Sequence, residues 1–264
     1  MRKKRQTKNR TNRPDFAAPA ERRVATMDRP TVYLLPGLLC DKTVWSAQHA
    51  ALSALAEVFI PDFRGFRSLR DMAAAVLAEA PEHFSVAGHS MGGRVALEIH
   101  RAAPERVNRI ALISTSCRPA DAGEPARRKT FVDIARREGM AALASAWMRQ
   151  LLHPDHLTDR DMVDAISRSI ESYSLVELEG QIQALLERAD DAENLRGIRC
   201  PALIACGRED AWGSAEEHRT MASLIPHATL AIIETCGHMA PMEQPDEVNR
   251  LLVEWMQNTG QDTK

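Results

Sequence analysis

Gly88-His89-Ser90-Met91-Gly92-Gly93 sets a serine between two glycines, each two residues away. A serine hydroxyl is nearly inert at its own pKa and becomes a nucleophile when a neighbouring base takes its proton. Candidate partners lie downstream. Asp210 closes Cys206-Gly207-Arg208-Glu209-Asp210, and His238 lies in Cys236-Gly237-His238-Met239. The chain order serine, acid, histidine suits acyl transfer, with His238 as base for Ser90 and Asp210 holding its tautomer. Glu209 competes as the acid; Asp210 is preferred for its place in the Gly-x-x-Asp turn.

Attack on a carbonyl develops negative charge that two fixed amides stabilise, typically by ~3 kcal/mol per donor. Met91, directly after the nucleophile, supplies one candidate N–H. Leu38, in Pro36-Gly37-Leu38-Leu39-Cys40-Asp41, supplies the other. His89 cannot also serve Ser90, so it is expected to pack or hydrogen-bond. His153 and His156 flank a proline and read as polar loop residues. No metal and no cofactor are expected. The five cysteines are widely spaced, form no Cys-x-x-Cys pair and read as reduced, mostly buried thiols.

The elements that must position these groups are legible as alternating patterns. Continuous apolar runs at Thr31–Leu35, Val58–Pro61, Phe84–Ala87, Arg109–Ser114, Ala202–Cys206 and Thr229–Ile233 predict strands covered on both faces. Helical periods fall between them, over Val44–Leu55, Met72–Ala80, Val95–Ala103, Ser214–Ile225 and Glu247–Met256. The alternation predicts an α/β fold with a doubly wound, mostly parallel sheet. Ser90 then falls at a strand–turn–helix junction, where glycines on either side permit close backbone approach.

The alternation breaks at about 118–199. Four helical periods, Ala126–Arg137, Met140–Leu152, Asp159–Ser172 and Leu175–Ala189, stand there with no strand. An insertion at this point covers the carboxyl edge of the sheet, where such folds bind ligands, and is expected to be a helical cap. Trp147 and Met148 are expected to wall a substrate pocket with Gly37. Arginines at 127, 128, 136, 137, 149 and 168 invite a carboxylate site. Residues 118–197, however, carry eleven Lys/Arg against fifteen Asp/Glu, so most of these charges read as a solvated helix face.

Several of these stretches together resemble the α/β-hydrolase superfamily, in particular its small capped serine esterases and lactonase-like members. They are Leu35-Pro36-Gly37, Asp62-x-Arg64-Gly65, the Ser90 motif, Gly207-Arg208-Glu209-Asp210, Gly237-His238, Ala103-Pro104-Glu105-Arg106-Val107 and Glu243-Gln244-Pro245-Asp246-Glu247-Val248. The resemblance spans about 31–257. It implies the α/β-hydrolase fold and hydrolysis of a small carboxylic ester, thioester or lactone through an acyl-enzyme on Ser90. C–C bond hydrolysis, lyase and acyl-transfer chemistry use the same triad and stay open beside it, as does a low-turnover receptor. Ser90 stands where epoxide hydrolases and haloalkane dehalogenases of this fold carry Asp. Relatives usually have His where Pro36 stands, and they open with a hairpin, which leaves six or seven strands expected here.

The chain has 264 residues and a formal net charge of -2, an average that conceals an asymmetry. Residues 1–28 hold nine Lys/Arg against three Asp/Glu, and positions 2–14 contain no aliphatic or aromatic residue. Such a segment cannot offset its ordering entropy, so it is expected to be a disordered basic tail, with Arg22–Thr26 as at most one edge strand. The hydrolase domain with its cap then covers 29–264. The tail lacks the apolar stretch of a secretory signal and the apolar face of a transit peptide, and no run reaches the ~20 residues of a membrane helix. A cytoplasmic protein with a small-molecule substrate, no nucleic acid and no membrane partner is expected. No motif sets an oligomeric state.

Overall fold

Tyr33 and Leu34 are sequence neighbours whose side chains lie in different cores. The same division runs through the other central strands, with Ile110 and Leu112 on one side, Ala111 and Ile113 on the other. Successive side chains of a strand point to opposite faces. A strand apolar at every position therefore needs cover on both faces, which is what the continuous runs encode.

The computed structural model describes residues 29–258. The expected tail and its Arg22–Thr26 strand lie outside them. The first half of the chain forms β1 (Thr31–Leu35), α1 (Ser46–Leu52), β2 (Glu57–Phe59), α2 (Leu69–Glu79), β3 (Phe84–His89), α3 (Met91–Ala102) and β4 (Val107–Ile113). The insertion follows as α4 (Glu124–Glu138), α5 (Met140–Leu151), α6 (Arg160–Glu171), α7 (Leu175–Leu186) and α8 (Ala192–Gly197). β5 (Ala202–Gly207), α9 (Ala215–Leu224), β6 (Thr229–Ile233), α10 (Ala240–Glu243) and α11 (Pro245–Gln257) complete it.

The six strands are parallel in the order β2-β1-β3-β4-β5-β6. One face carries α1 and α11, with Leu52, Val248, Leu252 and Trp255 in its core. The other carries α2, α3, α8 and α9, with Met72, Val95, Leu195 and Met221. The chain runs from β1 outward to β2 and then back past β1 to β3. The carboxyl ends of β1 and β3 are thus adjacent at the point where the winding reverses, the ligand-binding crevice of such sheets.

Most differences from the sequence expectation fall at element ends. The run expected at Val58–Pro61 is strand only at Glu57–Phe59, on the sheet edge, where Phe59 is exposed. β4 begins at Val107, two residues early, because it pairs with Phe84 across a register shift in β3. Asp159, expected inside a helix, is the N-cap of α6 and accepts from the Met162 amide. Ser174 caps α7 through a reciprocal capping box with Glu177, worth about 1 kcal/mol. Helix α8 is an addition: its six residues are under two turns, too few to show a period. Among the described residues no helix is long and apolar enough to cross a membrane.

Candidate active site

The loops that leave β1, β3, β4, β5 and β6 share one edge of the sheet, and they bring Leu38, Ser90, Ser114, Asp210 and His238 together. Ser90 occupies the turn between β3 and α3 at φ 54°, ψ −115°, a conformation costly for a residue with a side chain. It persists because its surroundings determine it. The Ser90 amide donates to the Ile113 carbonyl at 2.9 Å, and the Thr115 hydroxyl donates to the Ser90 carbonyl at 2.7 Å. A β-carbon on Gly92 would overlap the Leu35 carbonyl, and one on Gly88 the backbone of Gly92, so this turn demands both glycines.

Ser90 Oγ lies 2.9 Å from His238 Nε2, and His238 Nδ1 lies 2.9 and 3.1 Å from the two Asp210 oxygens. Nδ1–H therefore donates to the carboxylate, and Nε2 is free to accept the serine proton. Burial alone would raise the Asp210 carboxyl. The adjoining His238, by charge and hydrogen bond, and the amides of Gly213 and Trp212 outweigh burial and bring it down to about 2. The two amides close an Asx turn at 2.9 and 2.8 Å, a signal present in Asp210-Ala211-Trp212-Gly213 that the sequence reading did not use. Glu209 faces elsewhere and accepts from the Cys236 amide at 3.0 Å.

The insertion holds both sides of this site. The Leu151 carbonyl, at the end of α5, accepts the His238 amide at 2.8 Å. The Glu243 side chain is fully buried and accepts from the amides of Met239 (3.0 Å) and His153 (2.7 Å) and from His156 Nδ1 (2.9 Å). The two loop histidines thus tie the insertion, through Glu243, to the segment that follows His238. On the opposite side, Gln181 Oε1 accepts from the Leu39 amide at 2.9 Å. Ser169 donates to the Leu39 carbonyl at 3.0 Å, and Tyr173 donates to the Cys40 carbonyl at 2.8 Å. Leu39 itself is held at φ 53°. Gln181, Ser169 and Tyr173 have no signal in the sequence, because each acts on a backbone more than a hundred residues away, whereas Glu243 opens one of the stretches that resemble the family.

His89 is fully enclosed and donates from Nε2 to the His238 carbonyl at 2.9 Å. Burial, followed by the nearby His238, lowers its pKa to about 3, so it stays neutral. His218 is also buried, and burial lowers its pKa; it accepts from the Thr115 amide and donates to the Ser214 carbonyl. Burial pushes the Cys40 thiol up to about 12, which makes it a poor nucleophile.

A cavity of about 670 Å³ opens over Ser90, lined by Leu38, Met91, Trp147, Trp212, Arg128 and His238 among others. Leu38 and Met91 thus line the same cavity as Ser90. Two expected pocket residues do not line it. Met148 turns into the core formed with α4–α7, one helix position away from Trp147, and Gly37 packs against the His89 ring. Trp45 is also inside, edge-on to His89. The wall is instead a run of rings, Phe131, Trp147 and Trp212, ending against His238 at 6.0 Å. Arg128, expected on a solvated face, is buried beside Trp212.

A parallel, doubly wound sheet with these groups at its carboxyl edge is a hydrolase architecture. The chain belongs to the alpha/beta hydrolase family, whose model matches residues 32–251. It is 28% identical to RutD of Caulobacter sp. (strain K31), which carries the provisional name carbamate hydrolase, over 87% of this chain and 91% of that one. It is 29% identical to the pimeloyl-[acyl-carrier protein] methyl ester esterase of Aromatoleum aromaticum, over 84% and 96%. A thermophilic esterase from Thermogutta terrifontis superposes with a TM-score of 0.80 at 28% identity, over 86% and 89% of the two chains.

Proposed function

We propose that this hydrolase cleaves a small carboxylic ester, thioester or lactone through an acyl-enzyme on Ser90. The observation that carries the reading is the continuous chain of contacts from Ser90 Oγ through His238 to Asp210, opening into the ring-walled cavity. Ser90 attacks the carbonyl carbon as His238 Nε2 takes its proton. The Leu38 and Met91 amides receive the developing oxyanion, and the positive end of α3 adds to them. The imidazolium, stabilised by Asp210, returns the proton to the leaving oxygen or sulfur. Water, activated by the same imidazole, then releases the acid. Helices α4–α8 act as the cap that excludes solvent and shapes the substrate site.

Hydrolysis of p-nitrophenyl butyrate by wild type, with Ser90→Ala as blank, tests the reading; equal rates from the two proteins refute it. A second reading, carbamate hydrolysis by the same triad, is favoured by the likeness to RutD. Including p-nitrophenyl carbamates in the same screen distinguishes the two.

A further inference from the structure

Among the described residues, five side chains in the cavity wall bury polar atoms with no hydrogen-bond partner: Arg128 Nη1, Trp147 Nε1, Trp212 Nε1, Ser114 Oγ and His89 Nδ1. The first three carry N–H groups that only donate, the fourth is a hydroxyl able to donate, and the fifth is an acceptor, since the His89 proton is on Nε2. The first three are contiguous. The Arg128 guanidinium lies 5.8 Å from the Trp212 ring, and the Trp147 and Trp212 rings are 6.1 Å apart. A buried donor is ordinarily satisfied, so a cluster of unpaired donors around one cavity indicates a ligand rich in acceptors.

The local charge has the same sense. The Arg128 side chain is 9% exposed, and its Nε donates to Glu124 at 2.7 Å. That carboxylate is already taken by Arg188, which holds its two oxygens at 2.6 and 2.8 Å. Two guanidiniums therefore face one carboxylate, and one positive charge is left over. Among the other cavity arginines, Arg94 shares Asp191 with Arg101 and also donates to the Arg118 carbonyl, the exposed Arg118 lies 4.0 Å from Glu217, and Arg127 pairs with Asp121. Glu217 is occupied by Ser116 as well.

We propose that Arg128, with the indole N–H groups of Trp147 and Trp212, binds a carboxylate carried by the substrate at the end remote from its scissile carbonyl. The substrate class is thus a half-ester or hydroxy-acid ester, deepening the esterase reading on which the proposal relies. A guanidinium offers a planar pair of donors matched to a carboxylate, and the indoles add neutral donors in a site largely screened from water. Trp212 touches both Arg128 and His238, so one ring separates the anion site from the reacting atoms.

The test has two arms. In the first, glutarate binding is measured by calorimetry and tryptophan fluorescence for wild type, Ser90→Ala and Arg128→Gln. Wild type and Ser90→Ala are expected to bind alike, and Arg128→Gln at least tenfold more weakly. In the second, kcat/KM is compared for monomethyl glutarate against methyl butyrate, and for 4-acetoxybutyrate against butyl acetate. Wild type is expected to prefer the acidic member of one pair by tenfold or more, and Arg128→Gln to lose that preference. Arg128→Lys, which keeps the charge but not the fork, is expected between the two and guards against a folding artefact, as does an unchanged melting temperature. Absence of glutarate binding in wild type, or a preference that survives Arg128→Gln, overturns the proposal. Ester turnover by Ser90→Ala would refute the esterase reading alone, because glutarate binding is measured without turnover.

Discussion

The Leu151 carbonyl accepts the backbone N–H of His238 at 2.8 Å, and the Met239 amide reaches the same oxygen at 3.2 Å. The last turn of α5 thus anchors the loop that carries His238. The insertion lines the cavity and also holds the His238 loop, so on the proposed mechanism changes in it should alter turnover as well as substrate choice.

Glu243 gives the sharpest check of that coupling. Glu243→Ala strips the acceptor from the His153 amide and from His156 Nδ1, while Met239 keeps the Leu151 carbonyl, and unsatisfied buried donors cost about 1–3 kcal/mol each. Urea denaturation should show a loss of about 2 kcal/mol or more. Loosening His238 should lower kcat by about tenfold with little change in KM, since positioning is lost rather than binding. Glu243→Gln, which keeps one acceptor oxygen, should recover part of both. A KM effect with kcat intact would refute the positioning role.

Asp210 and Glu209 are adjacent, yet only one reaches the imidazole. Asp210→Asn should lower kcat by about 10³–10⁴-fold, because the amide favours the wrong histidine tautomer. Glu209→Gln should change kcat less than about threefold, because the amide oxygen still accepts from Cys236. Steady-state kinetics on one ester separates them. The Asp210 carboxyl falls from 3.8 unfolded to about 2 folded. Its stabilising contribution is therefore present above about pH 4 and is lost as pH falls towards 2.

Gln181 spans two loops, accepting from Leu39 and donating to the Phe63 carbonyl at 3.2 Å. Gln181→Leu should free the segment after Leu38 and lower kcat by about tenfold, with a smaller change in KM. Side-by-side kinetics with Gln181→Glu, which keeps the acceptor for Leu39, should show partial rescue.

His89 predicts a specific pH dependence of stability. Its folded pKa of about 3 lies below the free value of 6.5. Between these values the unfolded chain binds a proton that the folded chain refuses. Stability is full above pH 6.5 and declines on acidification through that window. His89→Gln keeps a donor for the His238 carbonyl and removes the titration. Its stability against pH should be shallower by about one proton, or about 1.4 kcal/mol per pH unit between pH 6 and 4. His218 acts in the same direction and is unaffected by this change, so equal slopes would contradict the His89 reading.

Where local pattern decides structure, the residue order alone was sufficient. Strands apolar at every position, such as Phe84–Ala87 and Ala202–Cys206, could be satisfied only inside a parallel sheet covered on both faces. The Gly88–Gly92 turn and the order Ser90, Asp210, His238 follow from short-range sterics and chain connectivity. Turn position favours Asp210 over Glu209, and Asp210 is the one of the two that lies within hydrogen-bond distance of His238.

What only tertiary structure decided involves contacts across long separations or the two sides of one helix. Trp147 and Met148 are consecutive and apolar, yet one lines the cavity and the other packs the core, since adjacent helical positions differ by about 100°. Charge counting placed Arg128 on a solvated face. The fold buries it, because the neighbours that matter, Glu124, Arg188 and Trp212, come from three separate parts of the chain. Gln181, Ser169 and Tyr173 bond to main-chain atoms of a distant loop, and a main-chain atom looks the same at every position in the sequence. Composition constrains the core and the order of the chemical groups. Which polar groups are left facing the substrate depends on three-dimensional packing.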